Sequence, residues 1–305
     1  MNGFEGELLV LSRRQFGMLA GAALPIARAA LAAKIDSKID GVQLGAQTYS
    51  FRDMALDPCI AAMKEIGLGE CELFMGHVEP KDLKRDALRQ WRLETPASYF
   101  EGIAKKFADA GIQIYAYTIN FRDDMSDEEL DRGFQQTKWL GPDLITTSTT
   151  HTCAKRLVPF AEKHKVRVAL HGHDAVNNPN EFSRPEDFSE AMAMSPLFLI
   201  NLDIGHFTAG GYDAVKYIQQ NHDKIVCLHI KDRKRDYAVN GKVGQGTGKN
   251  MPFGEGDTPI KPVLQLLKKN GWPIPANIEY EYGTKGMDTV AEVRKCFEYM
   301  KAALA

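Results

Sequence analysis

Hydrophobic and polar positions along this chain follow two periods in turn. Short runs rich in β-branched and aromatic residues occur eight times: VQLGAQTYS (42–50), ECELFM (70–75), IQIYAYTI (112–119), DLITTS (143–148), VRVALH (166–171), LFLINLD (197–203), IVCLHIK (225–231) and NIEYEY (277–282). Between them lie longer segments with apolar residues at helical spacing, such as 96–111, 126–140 and 259–271. The runs start on average about 34 residues apart. Ser126 followed by Glu129 predicts a capping box at a helix start. Parallel strands need crossover connections and helices must cover the outer face, so eight alternations predict an α/β fold, a single (β/α)8 TIM barrel. An open doubly wound sheet would leave two edge strands, and no glycine-rich dinucleotide fingerprint follows the first run. No domain boundary interrupts 33–305. The glycine- and charge-rich segment 232–257 follows the seventh strand, where a barrel carries functional loops.

Alternate side chains of a strand face opposite ways, so in a barrel one parity meets the helices and the other the interior. Val166, Val168 and Leu170 share the outer parity of the fifth run, which turns Arg167, Ala169, His171 and His173 inward. The sixth run places Phe198, Ile200 and Leu202 outward, with Leu199, Asn201 and Asp203 inward. In the seventh, Val226, Leu228 and Ile230 are expected outside and Cys227, His229 and Lys231 inside. The eighth puts Ile278 and Tyr280 outside, and Asn277, Glu279 and Glu281 inside. Strands five to eight thus each deliver a metal-capable residue near the C-terminal end: His171, Asp203, His229 and Glu279. Two carboxylates and two imidazoles converging at a barrel mouth are costly to desolvate, and a divalent cation compensates them. Mixed nitrogen and oxygen donors without a thiolate suit one Mn²⁺, Co²⁺, Fe²⁺ or Zn²⁺ ion better than Ca²⁺. Any one of the four alone reads more readily as a hydrogen-bonded structural group; it is their convergence on consecutive strands that points to a metal.

Composition narrows the function classes. The chain has 305 residues, 44% hydrophobic and 26% charged, as a globular domain does. Its 38 basic and 40 acidic residues leave a net charge of -2 without a run of one sign, so no footprint for nucleic acid or anionic lipid stands out and a small neutral substrate is the expected partner. The N-terminus carries Ser12, Arg13, Arg14 and Phe16, a mild apolar stretch broken by Pro25 and Arg28, and a small-residue site at Ala30-Leu31-Ala32. This resembles a twin-arginine export signal, too short and too weakly apolar for a stable membrane span, so residues 1–32 are set apart from the fold and an extracytoplasmic, for example periplasmic, location is expected. A fraying amphipathic helix is the plainer reading of that segment. Cys59, Cys71, Cys153, Cys227 and Cys296 are scattered and odd in number, which supports neither a disulfide framework nor a zinc ribbon. The oligomeric state stays open, a homo-oligomer included.

The pieces VALHGHD, NLDIGH with its D-x-x-H, CLHIKD and NIEYEY resemble the xylose-isomerase-like TIM barrels, the sugar phosphate isomerase/epimerase family, over essentially the whole chain after residue 32. The resemblance implies one divalent metal held from strands five to eight. Asp203, His229 and Glu279 match the ligand pattern of epimerases similar to D-tagatose 3-epimerase, whereas His171 stands where those epimerases have a glutamate. There, two glutamates both bind the metal and shuttle protons on opposite faces of the substrate. Histidine at 171 departs from that symmetry and keeps lyase chemistry open, as in inosose-dehydratase-like branches. The resemblance also makes His206 a substrate contact, matches Arg235 loosely to a substrate-binding arginine, and places Glu72 where a polar active-site residue is frequent.

Each candidate has a plainer reading. His173 is a candidate general base or a partner of the metal site, and Lys231 a candidate donor to an enolate oxygen or leaving hydroxyl, or else an exposed partner of Asp232. His206 reads also as a core histidine, and Glu72 as a bridge to Arg167 or Arg52. Glu281 is a second carboxylate or an alternative to Glu279 as ligand, and His151 directly follows strand four. Tyr49, Phe51, Phe121 and Trp272 form a sugar-stacking wall or belong to the core. The expected activity is metal-dependent isomerisation or epimerisation of an unphosphorylated keto sugar, cyclitol or keto-glycoside through an enediolate; elimination from the same intermediate is the alternative. An endonuclease IV-like hydrolase needs more metal ligands and a cationic face, and a non-catalytic sugar-binding protein is the remaining possibility.

Overall fold

The computed structural model describes residues 33–235, 248–283 and 286–305; the expected export signal lies outside them, as does part of the 232–257 loop. The first half of the described chain runs β1 (Lys38–Ile39), β2 (Val42–Gln47), α1 (Leu56–Ile66), β3 (Glu70–Phe74), α2 (Arg85–Glu94), α3 (Ala97–Asp109), β4 (Gln113–Thr118), α4 (Asp127–Leu140) and β5 (Leu144–Ser148). It continues α5 (His151–His164), β6 (Arg167–His171), α6 (Pro185–Met192), β7 (Phe198–Asp203), α7 (Ile204–Ala209), α8 (Ala214–Asn221) and β8 (Ile225–Ile230). The last elements are β9 (Asp232–Arg233), β10 (Asn250–Met251), α9 (Ile260–Asn270), β11 (Ala276–Ile278) and α10 (Thr289–Leu304). Parallel pairing runs from β2 through β3, β4, β5, β6, β7, β8 and β11 and returns from β11 to β2, which closes the (β/α)8 barrel. Closure removes the edges an open sheet would expose.

The outer parity of the strands packs on the helices. Leu44, Cys71, Ile200, Leu228 and Ile278 meet Met63, Phe107, Leu157, Ile218, Leu264 and Phe297 in one continuous core. Ser126 Oγ accepts from the Glu129 backbone N–H while the Glu129 carboxylate accepts from that of Ser126, so α4 begins with the expected capping box. All five cysteines are buried and unbridged.

Three features depart from the sequence reading. A hairpin precedes the barrel: β1 pairs antiparallel with β2 across Asp40-Gly41, both at positive φ (47° and 87°), as a two-residue hairpin turn requires. The first and last barrel strands are shorter than expected, since Thr48–Phe51 form a 3-10 turn and β11 stops at Ile278. Finally, the register slips by one residue at two bulges, between Cys71 and Glu72 against β4, and between Ile200 and Asn201 against β8. The extra residues are Tyr115 and Val226. Both turn to the barrel floor, where they pack with Ala116, Leu144, Ala169 and Leu199, and Tyr115 Oη donates to the Val226 carbonyl at 2.6 Å. Val226 therefore does not face the helices: a bulge inverts the alternation locally.

Candidate active site

The bulges return both strands to register just below the mouth, where Asn201 pairs with Cys227 and Asp203 with His229. His171 ends β6, Asp203 ends β7, His229 is the penultimate residue of β8, and Glu279 directly follows β11, its N–H held by the Ile230 carbonyl at 3.0 Å. One ligand-capable atom from each lies within 4.8 Å of those of the others, and all four side chains are buried. His171 Nδ1, Asp203 Oδ2, His229 Nδ1 and Glu279 Oε2 are sequestered without a hydrogen bond. Close charged neighbours do exist: His229 Nδ1 is 3.2 Å from Glu279 Oε2, and Lys231 Nζ is 2.8 Å from Glu279 Oε2 and 3.3 Å from Asp203 Oδ2. These ion pairs engage the two carboxylates and His229 and leave His171 Nδ1 without a partner. Buried polar atoms are rarely left so, and two nitrogens with two carboxylate oxygens are a donor set that could hold a divalent transition-metal ion.

Asp203 divides its work. Its Oδ1 accepts from the His206 backbone N–H at 2.7 Å and caps α7, which leaves Oδ2 for the cluster. The spacing D-x-x-H is thus a helix cap that also turns the His206 side chain toward the site. His206 Nε2 lies 3.1 Å from Lys231 Nζ and Nδ1 2.8 Å from Asp174 Oδ1. Arg233 closes this corner, with Nη1 2.8 Å from Asp174 Oδ1 and in contact with His206.

Burial sets the charges and the neighbours redistribute them. Burial pushes the Lys231 ammonium pKa down, but Asp203, Glu279 and Glu281 outweigh this and raise it. Burial likewise raises the carboxylates. Lys231 and His229 overcome it at Glu279, whose pKa falls well below the usual range, while Asp203, farther from Lys231, is pushed up to about 6. His171 and His206 are held well below the ordinary imidazole value, first by burial, then by the neighbouring His229 and Lys231 charges respectively.

His171, His229 and Glu279 of the cluster line a cavity of about 580 Å³ at the C-terminal ends of the strands. His173, Glu281, Lys231, His206, Tyr49 and Phe121 line it, as the sequence led us to expect, together with Phe74, Asn120, Arg122, Glu181 and the hydroxyl run Thr146–Thr150. His173 Nε2 is 3.4 Å from Ser148 Oγ and Nδ1 3.3 Å from Glu181 Oε2. Glu281 Oε2 is 2.7 Å from Lys231 Nζ and stands on the wall, outside the four-residue cluster, so Glu279 is the carboxylate beside the other candidate ligands.

Three candidates stand apart from the cavity lining, and two pairs of alternatives are decided. Glu72 does not reach the cavity; it is fully buried beneath His229, and it bridges neither Arg167, which pairs with Asp143 at 2.8 Å, nor Arg52, which donates to the Tyr280 carbonyl at 2.8 Å. Arg235 is exposed, its backbone N–H donating to Asp257, and Arg233 occupies the place beside His206. His151, at the start of α5, stacks on Phe182 at 4.2 Å instead of lining the cavity. Lys231 is buried, and Asp232 is not its partner but accepts the backbone N–H groups of Gly254, Gly256 and Thr258. Phe51 is core, and Trp272, ahead of β11, stacks on His222 at 4.1 Å at the other end of the barrel. Asp174 was visible within the HGHD motif but carried no pattern of its own, and Arg233 and Glu181 lie on loops where no period assigns a direction.

Comparison with known proteins agrees with this architecture. The chain is 25% identical over 228 residues to the UlaE chain of Shigella dysenteriae serotype 1, covering 74% of this chain and 68% of that one. It is 29% identical over 153 residues to the L-ribulose-5-phosphate 3-epimerase UlaE of Escherichia coli strain ATCC 8739, a match that spans 50% of this chain and about half, 49%, of that relative. A solved structure of IOLI protein with a binding zinc atom superposes with a TM-score of 0.63 at 17% identity, over 86% of this chain and 98% of the other, a likeness of fold. Residues 150–303, which carry strands β6, β7, β8 and β11 and hence the whole cluster, match the family model described as xylose isomerase-like TIM barrel. On the closed barrel and that match together, the chain belongs to the xylose isomerase-like TIM barrel family.

Proposed function

We propose that this protein is a divalent-metal-dependent enzyme that isomerises or epimerises an unphosphorylated keto sugar, cyclitol or keto-glycoside. The observation that carries the reading is the convergence of four buried ligand-capable side chains, His171, Asp203, His229 and Glu279, with one atom of each within 4.8 Å of the others, beside a hydroxyl-lined cavity that also holds His173 and Lys231. An ion held by those four side chains supplies Lewis-acid polarisation of a carbonyl oxygen. The remaining chemistry belongs to the chain. His173 receives the proton from the carbon beside the carbonyl. Lys231, held protonated by its three carboxylates, donates a hydrogen bond where negative charge develops on oxygen. His206, oriented by Asp174, contacts a substrate hydroxyl, and Tyr49 and Phe74, packed edge to face at 5.0 Å, offer ring faces to a sugar. Return of the proton to the other face of the same carbon is epimerisation, and return to the neighbouring carbon is isomerisation.

Two observations support a substrate without phosphate. Among the described lining residues, Arg122 and Lys231 are outnumbered by Asp123, Asp124, Glu181, Glu279 and Glu281, and Lys231 is already paired. Such a lining disfavours a phosphate dianion. The paired arginines Arg13 and Arg14 ahead of an apolar stretch support export, and hence an extracytoplasmic substrate. Among the described residues no helix is long and apolar enough to cross a membrane.

A lyase is the second reading, favoured by histidine at 171 in place of a second carboxylate and by the Lys231 ammonium, which can protonate a departing β-hydroxyl or glycosyl oxygen. Incubation of the metal-loaded protein with keto sugars and keto-glycosides in D₂O tests both. Chelator-sensitive wash-in of deuterium without loss of a group supports isomerisation or epimerisation, and wash-in with release of water or aglycone supports the lyase. No exchange with any ketose would leave a sugar-binding protein and sink the catalytic proposal.

A further inference from the structure

One carboxylate bonded on every side lies outside the cavity lining. Glu72 sits on β3 beneath His229, fully buried. His229 Nε2 lies 3.0 Å from Glu72 Oε1 and 3.1 Å from Oε2. The other lone pairs of the carboxylate are also taken: Asn277 Nδ2 donates to Oε1 at 2.8 Å, Cys227 Sγ to Oε1 at 2.9 Å, and Asn201 Nδ2 to Oε2 at 3.1 Å. Four barrel strands, β3, β7, β8 and β11, therefore converge on one buried anion. Strand alternation turns Glu72 inward, and the absence of a side chain at Gly45 makes room for its donor, since a Cβ there would lie 2.2 Å from Asn277 Oδ1.

Two groups compete for His229 Nε2: Asn201 Nδ2, at 3.0 Å, can only donate, whereas both oxygens of Glu72 lie as close and accept from every other neighbour. Asn201 also has Glu72 Oε2 to donate to, and the hydrogen bond to a carboxylate is the stronger, so the proton is placed on Nε2 and the lone pair on Nδ1, which faces Glu279 and the cluster. We propose that Glu72 is a positioning residue that holds His229 as the Nε2–H tautomer, so that Nδ1 is the atom offered to the metal. Asn201, Cys227 and Asn277 keep Glu72 in place by filling its remaining acceptor sites. A carboxylate behind an imidazole ligand both fixes the ring and raises its basicity, and loss of such a partner typically weakens metal binding by about 10- to 100-fold. The inference rests on the metal reading above but concerns how the site is built, not what it turns over.

The test titrates Mn²⁺ into chelator-treated full-length protein. Glu72→Gln, which removes the charge and turns an amide toward donors, is expected to bind Mn²⁺ about 10- to 100-fold more weakly than wild type. Cys227→Ser, which keeps a donor to Glu72, is expected to stay close to wild type. Nitrogen NMR of Zn²⁺-loaded, histidine-labelled wild type reads the tautomer without any variant, and decides the matter if Glu72→Gln fails to fold: His229 should carry its proton on Nε2 with Nδ1 bound to the ion. Wild-type affinity in folded Glu72→Gln, or a proton on Nδ1, overturns the inference. Wild type that binds neither ion overturns it together with the metal reading, whereas an ion bound without any solvent exchange overturns the proposed activity alone.

Discussion

Glu70 and Glu72 stand two residues apart on one strand and show how far partners, not residue type, decide the behaviour of a carboxylate. Glu72 bears the desolvation penalty of complete burial, yet His229 and its hydrogen bonds bring its pKa below the ordinary carboxylate value. Glu70, also buried and with Oε1 lacking a hydrogen bond, has no such partner; burial, then the Glu72 charge, raise it to about 8. The linkage has a definite sign. Folded Glu70 keeps a proton that the unfolded chain releases near pH 4.5, so its contribution to stability is complete below that pH and is lost as pH rises toward 8. Glu70→Gln should therefore be more stable than wild type at pH 8, by a few kcal/mol at roughly 1.4 kcal/mol per pKa unit, with the gap closing below pH 5. Denaturant titrations of both proteins in chelator at several pH values measure this, and parallel pH curves would refute it.

Between strands, the two bulges and one glycine do what alternation alone does not. Each bulge spends one residue, Tyr115 or Val226, on closing the floor and so restores the inward register above it. Gly45 on β2 lets Asn277 of β11 lean across toward Glu72. An alanine there would meet Asn277 Oδ1 and, at 2.9 Å, the Glu70 carbonyl oxygen, and both are held in the barrel wall. Gly45→Ala is expected to cost about 1–3 kcal/mol, the usual range for overpacking a close-packed interior, and to lower the metal retained per chain because Glu72 loses its Asn277 donor. Denaturant midpoints and elemental analysis on the same samples check both, and a stable variant with full metal content would contradict the account. The capping box of α4, by contrast, is local in sequence and was legible as such.

For the whole molecule, an ion held by the cluster would staple four strands that meet only in the closed barrel. An ion that binds the folded chain alone stabilises it by mass action, by about 2.7 kcal/mol at a hundred times its Kd. For a barrel of this size that corresponds to a rise in Tm of roughly 5 °C, removed by EDTA and restored by Mn²⁺ or Zn²⁺. Thermal unfolding with and without chelator measures it, and coincident curves would count against the metal. The acidic cavity lining makes a companion prediction: a phosphorylated ketose at equal concentration should not compete with its unphosphorylated analogue for exchange, and effective competition would remove the argument for a neutral substrate.

The sequence by itself determined the alternation of strand and helix, the eightfold count that demands a closed barrel, and the inward side of His171, Asp203, His229 and Glu279, because period and parity are properties of a few consecutive residues. Only the tertiary structure decided that one atom of each lies within 4.8 Å of the rest, that Glu72 serves His229 from below instead of facing the cavity, and that Arg233, not Arg235, stands beside His206. Those facts depend on bulges that shift register and on contacts across the barrel between residues up to 205 positions apart, such as Asn277 and Glu72. Local pattern carries direction but not distance, and distance is what closure supplies.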